Sequence, residues 1–90
     1  MMIEKYESKI QHWLESQVES ASDDQLFAAG YLQGHVAVVL SELESQTDQS
    51  LTQLDSLMNQ ALRNAAQELQ QHDQTLVNRA WQSLLQTLHD

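Results

Sequence analysis

"ASDDQLFAAGYLQGHVAVVLSELE", residues 21–44, decides the fold. Ser22 with Gln25 three residues on forms a capping box, in which the hydroxyl accepts from the Gln25 amide and the Gln25 side chain reaches back. Asp23 and Asp24 follow where the positive end of a helix dipole favours carboxylates. A helix therefore starts at Ser22, and its periodic apolar residues carry it to about Glu44. Leu26, Phe27, Tyr31, Leu32, Val36, Val39, Leu40 and Leu43 cover more than one face, the mark of a helix touched on several sides. Its apolar core, Leu26 to Leu40, is about 15 residues long, against the roughly 20 of a membrane span, so it reads as a core helix.

This segment holds both glycines of the chain, Gly30 and Gly34. Each costs roughly 1 kcal/mol against alanine inside a helix, so something must offset them. One turn apart, they share a face and leave a flat groove that admits a close neighbour. The first expectation is that Trp13 or Trp81 fills this groove within the monomer, small against large. The others are a contact with a second copy or another protein, and a small-ligand site. Replacing Gly34 by Leu separates them: a core groove predicts a loss of several kcal/mol, and an interface predicts an intact fold with association abolished.

Outward from this helix the same spacing recurs. Ile3, Tyr6, Ile10, Trp13, Leu14 and Val18 mark a first helix over residues 3–20. The polar stretch "SQTDQS", residues 45–50, ends the second helix and offers Thr47, Asp48 or Ser50 as the next cap. Leu51, Leu54, Met58, Ala61, Leu62, Ala65 and Leu69 define a third helix. After "QQHD" a cap at Asp73 begins a fourth, with Leu76, Val77, Ala80, Trp81, Leu84, Leu85 and Leu88 as its apolar set and an end near His89. One all-α domain over residues 1–90, a small antiparallel helical bundle of about four helices, is the expected architecture.

Composition agrees and narrows the function. The 90 residues include no proline and no cysteine, which removes helix breakers, disulfides, thiol nucleophiles and cysteine-based metal sites. A chain of this size buries only about 60–65% of its unfolded surface, so the core is small. The N-terminal "MMIEKYESKI" lacks the continuous apolar run of a signal peptide, and a cytoplasmic location is expected. The net charge is −9, with −7 in residues 1–50, and such a surface repels nucleic acid and anionic lipid. Neither a nucleic acid nor a membrane is expected as a partner.

Catalytic signatures are weak. His12, His35, His72 and His89 fall on different elements, and His12/Glu15 and Glu68/His72 are single pairs rather than a metal-binding pattern. No serine sits in a glycine-flanked elbow and no glycine-rich loop follows a strand. His35 reads as a half-buried imidazole on a backbone carbonyl or carboxylate. No cofactor or metal is expected, and no catalytic residue.

The run S-D-D-x-L-F-A-x-G-Y-L-x-G-H, Ser22 to His35, followed by E-L-E at Glu42 to Glu44, closely resembles YfcL-like proteins, small bacterial proteins of unknown function. The resemblance implies no activity. It does single out Asp23, Asp24, Phe27, Gly30, Tyr31, Gly34 and His35 as a candidate shared surface. The chain is thus expected to be a small non-catalytic helical protein that binds another protein or self-associates. The alternative is a ligand-binding protein or enzyme using a pocket near Tyr31 and His35, which would require those side chains to converge on a cavity.

Overall fold

The computed structural model describes residues 2–20 and 22–89. Four helices follow in order: α1 (Met2–Ser20), α2 (Asp23–Glu44), α3 (Leu51–Ala65) and α4 (Gln71–His89), with a 3-10 turn at Ala66–Glu68 between the last two. Among the described residues there is no strand.

The helix ends show why the chain breaks where it does. At α2 the capping box forms: the Ser22 amide donates to Gln25 Oε1 at 2.9 Å and the Gln25 amide donates to Ser22 Oγ at 3.3 Å. Such a cap stabilises by about 1 kcal/mol. At the far end the Ser45 hydroxyl donates to Glu42 O at 2.8 Å, adding to the 3.3 Å bond that the same carbonyl accepts from the Ser45 amide. Of the three candidate caps for α3, Ser50 fills the role, its Oγ accepting from the Gln53 amide at 3.2 Å. Asp48 instead accepts from the Ser50 amide at 3.0 Å, and the Ser50 hydrogen bonds hold its carboxyl below the usual range.

Asp73 was expected to cap α4 and does not. The helix starts two residues earlier, at Gln71. The cause is local: the Gln74 amide donates to Gln70 O at 2.9 Å, and its side chain donates to Ala66 O and Leu69 O. One glutamine thereby ties the 3-10 turn to the first turn of α4, leaving Asp73 inside that turn.

The second helix is the centre of the molecule. It packs against α1, α3 and α4, and α4 in turn touches α1 and α3. Ala28, Ala29, Leu32, Val36, Val39, Leu40 and Leu43 are its buried residues. Around them stand Ile3, Tyr6, Ile10 and Trp13 from α1, Leu54, Met58 and Leu62 from α3, and Val77, Trp81, Leu84 and Leu88 from α4. By length and composition α2 is also apolar enough to cross a membrane; in this fold its buried residues pack as a core helix does.

Polar atoms cross-link the core at its edges. The Tyr6 hydroxyl donates to Gln49 O at 2.7 Å, fixing the start of α1 to the α2–α3 loop. Lys9 Nζ donates to Leu88 O and Trp13 Nε1 donates to Ser83 Oγ, joining α1 to α4. Trp81 Nε1 donates to Asp55 Oδ1 at 2.8 Å, joining α4 to α3. Among the described residues no buried side-chain polar atom lacks a partner, so the small core carries no desolvation penalty of that kind.

Candidate functional site

Both glycines of α2 lie on its solvent side. A Cβ built on Gly30 or on Gly34 would meet nothing within 4 Å. The expectation that Trp13 or Trp81 fills the groove is therefore wrong: both indoles are buried, but their Nε1 atoms bond to Ser83 and Asp55 respectively. The physical reason is the angular spread of α2. Its seven buried residues occupy one broad face, and at 3.6 residues per turn Gly34 stands almost opposite that face.

The exposed side is unusually apolar. Val38 is 60% exposed and Phe27 43%, and the bare backbone of the glycines lies between them along the helix. An apolar stripe opposite a buried face is what gives α2 its all-round hydrophobic character. Val18 of α1, expected on the packed stripe, is also in solvent at 73% exposure. It falls outside the run of steps that buries Ile3, Tyr6, Ile10 and Trp13.

The remaining candidate residues divide. Phe27, Tyr31 and His35, each four residues apart, form a ladder of rings: centroids are 6.2 Å apart for Phe27 and Tyr31, and 4.7 Å for Tyr31 and His35. Its Tyr31 hydroxyl donates to Glu68 Oε2 at 3.3 Å, reaching the 3-10 turn. Partial burial, then the Glu68 carboxylate beside it, raises the Tyr31 pKa above its ordinary value. Asp24 lies 3.7 Å from His72 Nε2, both side chains exposed, so the starts of α2 and α4 are adjacent and the pair adds little stability. Asp23 is exposed in the first turn of α2.

His35 borders a depression of about 390 Å³ with Val38, Val39 and Glu42 of α2 and Leu57, Gln60, Ala61 and Asn64 of α3. Tyr31 and Asp24 are not part of its wall. The side chains named for a ligand or enzyme pocket thus share one edge of α2 without converging on that cavity. Among the described residues no three His, Asp or Glu side chains come together as a metal site would require.

Sequence reasoning missed a groove on the other flank of α2. It holds about 670 Å³ between α1 and α2, with Ile3, Ile10, Leu14, Val36 and Leu40 as its apolar wall and Glu4, Glu7 and Glu44 among its polar lining. A second depression of about 290 Å³ shares Gln11, Leu14 and Gln33 with it and extends it past Gly30 to Val18, Leu26 and Glu15. Glu4, Glu7 and Glu15 are exposed and lie outside the buried stripe of α1, and only the adjacency of α1 and α2 aligns them along one channel.

These features define a small all-α protein whose central helix keeps a solvent side of apolar side chains and bare backbone. The family model of the YfcL protein matches residues 4–86, and the chain belongs to the YfcL family. A relative from Escherichia coli (strain K12), named uncharacterized protein YfcL, is 42% identical over 87 residues, which cover 94% of this chain and 95% of the relative. The resemblance carried by residues 22–44 thus extends over nearly the whole chain. No solved structure matches.

Proposed function

We propose that this protein is a non-catalytic, cytoplasmic binding module that holds another protein on the exposed side of α2. The observation that carries the reading is the uncovered surface itself: Phe27 and Val38 are exposed apolar side chains on one side of the helix, with glycines between them whose Cβ positions are open. Two glycines in a helix interior cost roughly 2 kcal/mol together, and among the described residues nothing lies within 4 Å of the Cβ positions they leave open. An incoming backbone or ring would use it. Exposed apolar residues gathered on one surface, as opposed to scattered singly, mark interaction sites.

The test is site-specific photo-crosslinking in cells of the native host. A photoreactive residue replaces Val38, and in a parallel strain replaces Gln86, which is exposed on α4. The expected result is a discrete heavier adduct from position 38 and none from position 86. An adduct of twice the chain's mass would assign the surface to a second copy, contradicting the hetero-partner form of the proposal. Unmodified protein alone from position 38 would overturn the binding-module reading.

A further inference from the structure

We infer that the channel between α1 and α2 receives a cationic amphipathic helix from another protein. This inference rests on the reading of α2 as a binding surface, and it commits to the chemistry of the occupant. Shape comes first. The channel runs along α1 from Ile3 to Val18, about 22 Å at 1.5 Å per residue, which suits a helix of about 15–18 residues. Gln11, Leu14 and Gln33 line both halves of the channel, so its two depressions adjoin. The apolar surface within it is aliphatic, and at the Val18 end it is largely uncovered, with Val18 73% and Leu26 38% exposed. Gly30 lowers the wall on the α2 side, since its Cβ position is open.

Charge then selects the occupant. Glu4, Glu7 and Glu44 line the larger half and Glu15 the smaller, and no lysine, arginine or histidine lines either. On α1, Lys9 donates to Leu88 O on α4 and lines neither half. A second copy of this chain, at net −9, would bring carboxylates against carboxylates. An apolar stripe flanked by lysines or arginines satisfies both the wall and the rim, in the helix-in-groove mode of recognition. Four glutamates spread over the length of α1 and the end of α2 also fix the register, because a ligand with charge at only one end leaves part of the rim unpaired.

The probe is a fluorescein-labelled 18-residue helical peptide, about the length of the channel, with leucines at i, i+3, i+4 and i+7 and lysines flanking them. Two controls accompany it, one with every lysine replaced by glutamate and one with the same composition but the leucine stripe scrambled. Fluorescence anisotropy at about 0.15 M salt, where charges beyond roughly 8 Å are screened, should show binding of the first peptide alone. The exposed-residue variant Glu4→Gln/Glu7→Gln/Glu44→Gln should weaken it about tenfold, and Val18→Lys should weaken it while leaving the circular dichroism spectrum unchanged. Equal binding of the scrambled peptide would reduce the effect to net charge and overturn the inference, as would unchanged binding by the triple variant. If the cationic peptide fails to bind while position 38 still yields a heavier adduct, the ligand class is wrong and the binding-module reading stands; if both fail, both fall.

Discussion

Trp81→Ala is expected to destabilise the protein by about 3–5 kcal/mol, the range for removing a large aromatic from a packed core. Trp81 is 1% exposed and lies in α4, which touches all three other helices. Its indole belongs to the buried core, and its Nε1 carries the 2.8 Å bond to Asp55 on α3. Alanine removes both, and a core this small has few side chains able to move into the void. Domains of this size hold about 5–15 kcal/mol in total, so a substantial share of the margin is at stake. Urea unfolding followed by circular dichroism measures it, since the substitution removes one of the two tryptophans that fluorescence would follow. Trp81→Phe keeps most of the volume and loses the hydrogen bond, and should fall well below the alanine variant. A loss under about 1 kcal/mol for Trp81→Ala would mean that α4 is not seated as described.

A second large effect separates the two faces of α2. Leu32→Ala is expected to cost about 2–5 kcal/mol, because Leu32 is fully buried at the centre of the packed face. Val38→Ala, on the same helix and of similar hydropathy, should change stability by no more than about 0.5 kcal/mol, since Val38 is 60% exposed and alanine is the better helix former. The contrast matters more than either value. Similar losses at both positions would show that the side of α2 bearing Phe27 and Val38 is covered within the monomer.

Much of the fold was legible because its signals are local. The capping box at Ser22 and Gln25 announced the start of α2 by residue type and spacing alone, and the structure forms both of its bonds. The three-and-four steps of Ile3, Tyr6, Ile10 and Trp13 identified the buried stripe of α1. The start of α4 was less legible: Asp73 is a good cap by type, but the long reach of Gln74 to Ala66 O and Leu69 O set the boundary instead.

The candidate site was harder to read, for a physical reason. A helix with apolar residues all round gives no phase, and small or apolar residues serve equally well in a core or at an interface. Gly30 and Gly34 were correctly placed on one face, and that face was assigned first to the core; only the packing of the other helices shows that it looks outward. Phe27, Tyr31 and His35 stack as a ladder along one edge of the helix, and the bond from Tyr31 to Glu68 spans 37 residues of sequence. The acidic channel depends on which flank of α1 meets which flank of α2, information that periodicity within one helix does not hold.

The central claim is that the bare side of α2 exists for a neighbour outside the chain, and Gly34→Leu tests it most directly. The variant carries the photoreactive residue at position 38, and its thermal midpoint and adduct yield are measured together. Because a side chain at Gly34 meets open space, leucine should stabilise the helix by about 0.5–1 kcal/mol and raise the midpoint by several degrees. The same side chain occupies the approach to the backbone, so the adduct should disappear. A raised midpoint with the adduct undiminished, or a midpoint that falls, would contradict the account.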